Sequence, residues 1–335
     1  MSQANPAATP APTIGTRTPE FAAQLLRDLY VDLRRDLARW ASVTHQTPQP
    51  RMGYVGQHLV SVVTGHPGGR SGARGDDIKL PGGKVAEIKC CYRVDQLGAC
   101  ARCGTAVASI EKVCPNQECG SDRLVRKDDS KWLLSPKDEQ ELRELFIPEC
   151  YYLVLFEFAD IAAADDIDVQ ILEVDPKCLG FALCMIDYYF NIRANSSSKA
   201  PFNLWPDSPK LYMMKPRMIY WSVIKADDTI DTKLFPGRDE PVLQRLGNLA
   251  DYSGSDTFSE AAIDAVAAAR GVQFPRLGLP TAAGQRRKKK LELLQQRREA
   301  EHWPDDALAD DFARAVFRSK VAAHADWTRQ YAATL

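Results

Sequence analysis

Apolar residues along the first part of the chain recur at helical spacing. Phe21, Leu25, Leu29, Leu33, Leu37 and Trp40 form one stripe, opened by Thr18-Pro19 in the manner of a cap residue followed by proline in the first turn. Such a stripe serves core or dimer packing. The stretch from Thr44 to Pro50 breaks the pattern, and a shorter helix is predicted over Tyr54 to Thr64, with Val55, Leu59 and Val62 inward and Gly65 as its stop. A helix from Ser135 to about Phe146 precedes two strands, Tyr151 to Phe158 and Ile167 to Val174. The first of these is nearly all apolar, as a central strand covered on both faces should be. Leu179 to Ile192 reads as a buried helix and Met218 to Ile224 as a further strand. From Pro236 onward the pattern is helical, with an Ala-rich amphipathic segment at Ser259 to Ala269 and one closing helix from Asp305 to Tyr331. Strands mixed with helices predict an α/β fold.

The period changes to two between Arg74 and Cys91. Ile78 and Leu80 alternate with Asp77 and Lys79; after Pro81-Gly82-Gly83, Ala86, Ile88 and Cys90 alternate with Val85, Glu87 and Lys89. Proline and two glycines suit a tight turn, so the segment reads as a hairpin. With both apolar sets on one core, a three-residue loop sets Asp77 opposite Glu87, with Lys89 on the same face. A loop of even length would bring Asp76 there instead, at the cost of turning Ile78 and Leu80 onto the charged face. Asp77 is therefore preferred, and Asp76 is held in reserve. Two neighbouring carboxylates repel unless a cation lies between them. Hard oxygen ligands suit Mg²⁺, and Lys89 could polarise a water or hold a phosphate oxygen.

Cys100-Ala101-Arg102-Cys103 and Cys114 to Cys119 give CxxC, ten residues, then Cx4C, each pair followed by glycine. Four thiolates from two knuckles fit a closed, structural Zn²⁺ site, and the flanking residues are those of a zinc ribbon. The remaining cysteines, Cys90, Cys91, Cys150, Cys178 and Cys184, sit among apolar residues and read as core.

Composition narrows the class. The 335 residues carry a net charge of −1, so a nucleic-acid surface would have to be a local patch. Residues 1 to 17 are rich in Ala, Pro and Thr without an apolar core, which reads as a disordered tail rather than a signal peptide. The apolar run Tyr151 to Phe158 is too short to cross a bilayer. Nine cysteines, four in metal-ligand spacing, point to a reducing cytoplasm. The Gly-rich loop from His66 to Gly75 lacks the Gly-Lys-Ser/Thr ending of a P-loop and reads as a lip of the hairpin site. Candidate phosphate or base contacts are Arg70 and Arg74 there, Arg93, Gln96, Arg126 and Lys131 around the ribbon, and the basic run Arg286, Arg287, Lys288, Lys289 and Lys290.

Asp77, a turn, and Glu87-Ile88-Lys89 together resemble the PD-(D/E)xK nuclease signature, best known from type II restriction endonucleases; Asp76 stands where the family has its proline. The resemblance implies a mixed central sheet flanked by helices, forming a nuclease core over residues 18 to 235 with the zinc ribbon, residues 98 to 126, inserted into it. Residues 236 to 335 would form a helical DNA-binding or dimerisation region. It further implies Mg²⁺ held by Asp77 and Glu87, Lys89 assisting the water, double-stranded DNA as substrate, a homodimer, and a cognate DNA methyltransferase as functional partner. In the resembled family a helix ahead of the hairpin often supplies another acidic ligand; here that place holds Gln57 and His58, so Gln57 is the substitute. Two other readings stay open: a non-enzymatic zinc-ribbon DNA-binding protein, and a repair or junction-resolving nuclease of the same superfamily.

Overall fold

The computed structural model describes residues 17–44, 52–69, 77–128, 132–134, 136–196, 203–204, 208–237, 246, 248–275, 277–304, 306–331 and 333. The stretch around Asp76, Arg70, Arg74 and Lys131 lies outside these residues.

The Thr18 side chain accepts from the Phe21 amide at 3.1 Å and starts α1 (Pro19–Leu26). A π-helical segment, Arg27–Asp32, joins α1 directly to α2 (Leu33–Thr44). Helix α3 (Met52–Thr64) ends at Gly65, whose φ of 72° suits glycine. The hairpin follows as β1 (Ile78–Lys79) and β2 (Val85–Tyr92), with Pro81–Gly83 between them and positive φ at both glycines. The ribbon comprises β3 (Leu97–Cys100), β4 (Ala106–Ala108) and β5 (Leu124–Val125). After β6 (Trp132–Leu133), Asp138 caps α4 (Glu139–Glu144), a shorter helix than expected and one that starts later. Then come β7 (Cys150–Phe158), β8 (Ile167–Val174), α5 (Leu179–Asp187) with a π-helical continuation Tyr188–Arg193, β9 (Asn203–Leu204), α6 (Ser208–Met213), β10 (Arg217–Ile224) and β11 (Ile230–Leu234).

Six strands form one sheet in the order β1-β2-β7-β8-β10-β11. Only β2 and β7 run parallel; the other neighbours are antiparallel, so the sheet is mixed. Strand β11 was not foreseen, because Ile230-Asp231-Thr232-Lys233-Leu234 carries two charges and covers an edge.

Side-chain alternation along β7 divides the core. Tyr152, Val154, Phe156 and Phe158 pack with α1, the π-helical segment and α3, where Phe156 stacks on Tyr92 with centroids 4.6 Å apart. Tyr151, Leu153 and Leu155 face the other way, into a cluster containing α5, α6 and the C-terminal helices. That region holds α7 (Glu260–Ala269), α8 (Ala283–Ala300), α9 (Ala307–Lys320) and α10 (Ala325–Gln330). Phe258 stacks on Phe312 at 4.0 Å.

The closing helix is two helices rather than one. Phe317 and Trp327 are both buried, yet ten residues apart they would lie about 80° from each other round a continuous helix. A break after Val321 lets Trp327 pack on Phe146. Of the cysteines outside the ribbon, Cys91 and Cys184 are buried, while Cys90, Cys150 and Cys178 are half-buried. No helix among the described residues is long and apolar enough to cross a membrane.

Candidate active site

Ile78 pairs with Ala86 and Lys79 with Val85, and the Leu80 amide donates to the Lys84 carbonyl at 2.9 Å. Three residues thus form the loop, and one further step in the same register sets Asp77 opposite Glu87. Strand β1 stops there, and the Asp77 side chain takes over the pairing: its Oδ2 accepts from the Ile88 amide at 2.9 Å. Its Oδ1 accepts from the Gln57 amide of α3 at 2.8 Å. The helix ahead of the hairpin therefore does reach the acid, through a neutral side chain.

Lys89 donates its ammonium to Oε1 of Glu87, with the two side chains 24% and 13% exposed. Glu87 lies beside Tyr151 in the parallel register of β2 and β7. Burial, and then the Glu87 charge, hold the Tyr151 hydroxyl above its ordinary range, and it donates to the Leu145 carbonyl at 2.9 Å. Sequence reasoning did not single out Tyr151, since a tyrosine in an apolar strand carries no functional signal of its own.

The donor set at the hairpin is oxygen. Each carboxylate oxygen has more than one acceptor position, so the bonds from Gln57 and Ile88 leave Asp77 room for a cation. The ammonium of Lys89 against Glu87 shows that this carboxylate takes positive charge at close range.

Sγ atoms of Cys100, Cys103, Cys114 and Cys119 lie within 4.8 Å of one another. Cys100 and Cys119 are 3.7 Å apart, Cys103 and Cys114 3.5 Å. A tetrahedral ion with Zn–S bonds of about 2.3 Å needs separations of about 3.8 Å, which this cluster fits. Gly104 and Gly120, with φ of 73° and 52°, curl the chain behind each knuckle. The Arg102 amide points at Cys100 Sγ from 3.4 Å.

The other candidates are spread over the molecule. Arg93 lies 3.6 Å from Glu157, and the Gln96 side chain donates to the Tyr92 carbonyl at 3.3 Å. Arg126 donates inside the ribbon to the carbonyls of Ser109 and Glu111. The basic run falls on α8 and is divided by its helical period. Arg286 grips both oxygens of Glu260, at 2.6 and 2.8 Å, while buried Lys290 bonds Glu260 and Asp264. Lys288 and Lys289 are exposed, and Arg287 is half-buried.

The family model for the MamI restriction endonuclease matches residues 39–245. A curated relative, the type II restriction enzyme MamI of Microbacterium ammoniaphilum, is 41% identical over an alignment of 69 residues, with 19% of this chain and 22% of that enzyme covered. The matched stretch therefore spans well under two thirds of that relative's length. No solved structure matches the chain. Because the family match takes in more than half of the 335 residues, the protein belongs to the MamI restriction endonuclease family.

Proposed function

We propose that the chain is a Mg²⁺-dependent type II restriction endonuclease that hydrolyses phosphodiester bonds at a short specific site in double-stranded DNA. The observation that carries this reading is the hairpin: its register, Ile78 with Ala86 and Lys79 with Val85, continues to Asp77 opposite Glu87, and an ion pair joins Glu87 to Lys89 on the same face. Family membership supports the substrate and the reaction class.

In this reading Asp77 and Glu87 hold the metal, with Asp76 in reserve, and Gln57 steadies Asp77. When bound, Mg²⁺ supplies a Lewis acid that activates water and offsets charge building on the phosphate. Lys89 turns from Glu87 toward the attacking water or a phosphate oxygen. Cys100, Cys103, Cys114 and Cys119 hold Zn²⁺ in a closed site that shapes the ribbon. The ribbon braces or reads the duplex, and exposed cations such as Lys288 and Lys289 meet phosphates without discriminating sequence. A homodimer would bring two such sites to the two strands. The cytoplasm is the compartment in which the enzyme and a cognate methyltransferase would act.

Plasmid digestion with Mg²⁺ tests the proposal. Discrete bands are expected, and Glu87→Ala should retain DNA binding while losing at least about a hundredfold in cleavage. A smear or structure-dependent nicks would favour a repair enzyme. Binding without any cleavage by the parent protein would favour a non-enzymatic zinc-ribbon protein.

A further inference from the structure

The ribbon leaves the sheet immediately after β2 and is fastened back by charge. Arg34 of α2, whose side chain is 11% exposed, donates one nitrogen to Oδ1 of Asp95 at the exit of β2. Another of its nitrogens meets Oε1 of Glu111, within the ribbon, at 3.0 Å. Asp95 is itself almost fully enclosed; burial pushes its carboxyl up, and the Arg34 charge acts against that. Around this centre the Ser109 hydroxyl donates to the Lys127 carbonyl at 2.7 Å, and the Arg126 guanidinium closes on the carbonyls of Ser109 and Glu111. A second tie runs from Lys112 to the turn between β7 and β8, at Asp165 Oδ1 2.5 Å away.

One guanidinium thus holds two acids, Asp95 enclosed and Glu111 half-buried. Without it the two carboxylates would repel, and the Asp95 charge would be buried unpaired. A planar fork reaches two acceptors at once in a fixed geometry, which an ammonium does not reproduce. Among the described residues Arg34 bonds Asp95 and Glu111 rather than the four thiols, so holding the ribbon in place is separate from folding it.

We propose that Arg34 is a positioning residue for DNA recognition. It fixes the ribbon relative to β2, so that exposed ribbon side chains, Arg102 and Arg123 among them, meet the duplex in register with Asp77, Glu87 and Lys89. This rests on the nuclease reading above.

The test compares the full chain with Arg34→Met, Arg34→Lys and the doubly substituted Arg34→Met/Asp95→Asn, measuring zinc content, hydrogen exchange and cleavage kinetics. In Arg34→Met, zinc content should be unchanged, and exchange should quicken over residues 96–128 but not in β7 and β8. KM for cognate DNA should rise about tenfold, the scale of coupling through a packed network. At saturation kcat should stay within about twofold, the pattern of lost binding rather than lost chemistry. Arg34→Lys should recover part of the KM, and the double variant should exchange more slowly than Arg34→Met. Unchanged ribbon exchange with unchanged KM overturns the proposal; so does exchange that quickens equally throughout, since Arg34 would then serve the fold alone. If the parent protein cuts no DNA the nuclease reading falls, and ribbon exchange by itself still decides whether Arg34 holds the ribbon.

Discussion

Gln57 of α3 donates its side-chain amide to Oδ1 of Asp77 at 2.8 Å, so a neutral group meets the acid from the helix ahead of the hairpin. Gln57→Ala should lower cleavage by about ten- to a hundredfold, the usual cost of removing a group that orients a metal ligand. Gln57→Glu sets a second carboxylate against Asp77. Titration calorimetry should then show tighter Mg²⁺ binding, and thermal melts without the metal should show lower stability. Equal Mg²⁺ affinity in the parent and Gln57→Glu would remove Gln57 from the metal's surroundings.

Lys89 and a divalent cation would compete for the same carboxylate. Lys89→Met keeps the length of the side chain and removes its charge, so Mg²⁺ should bind as tightly as before or more tightly. Cleavage should nevertheless fall by at least about a hundredfold, since the charge proposed to turn toward the reacting phosphate would be gone. Parallel calorimetry and plasmid assays check both halves.

Elemental analysis should find one zinc per chain, and Cys114→Ser should abolish it. A strong chelator should release four thiols to a thiol reagent, while Cys91 and Cys184, both buried in the core, stay unreactive until the protein unfolds. Release of fewer than four would break the proposed ligand set.

Glu260 is held down to about 2 from an ordinary value of 4.5 by its bonds to Arg286 and then Lys290. A lowered folded value contributes stability above the unfolded one. That contribution should be complete above about pH 5 and vanish as the pH falls through 4.5 toward about 2. Glu260→Gln should cost about 1 kcal/mol at neutral pH, a modest figure because the pair is partly open to solvent. Melting curves at pH 7 and pH 3 should show the gap between parent and variant closing in acid.

Gly180 lies in the first turn of α5 against the next layer. A Cβ there would stand 2.0 Å from the Met213 carbonyl oxygen, which is backbone and cannot step aside cheaply. Gly180→Ala should therefore destabilise by at least about 1–3 kcal/mol, the range for overpacked sites, as denaturant titration would show.

Local signals made much of the candidate site's geometry legible. The Pro81-Gly82-Gly83 turn and the alternation around it announced a three-residue loop, and the pairing of Ile78 with Ala86 and Lys79 with Val85 has that loop length. The four cysteines announced their cluster by spacing, and the apolar run of β7 announced a central strand. What escaped depends on partners distant in the chain. Arg34 meets Glu111 across 77 residues, and nothing in the neighbourhood of either marks the pairing. The basic run looked like one surface, but its members four apart turn inward onto Glu260 and its outer members do not. Strand β11 alternates Ile230, Thr232 and Leu234 with Asp231 and Lys233, but five residues carrying two charges are too short and polar a run to stand out in the sequence.

Strands β2 and β7 are parallel neighbours, although 57 residues separate the end of one from the start of the other. Parallel pairing always demands a long return path, and this chain spends that path on the four-cysteine ribbon and α4. Length in the return is thus something the sheet already tolerates. A differently shaped insertion could be grafted between Tyr92 and Cys150 while every rung of the β2–β7 ladder stays as it is. The place where this scaffold can take on a differently shaped insertion is therefore built into its topology.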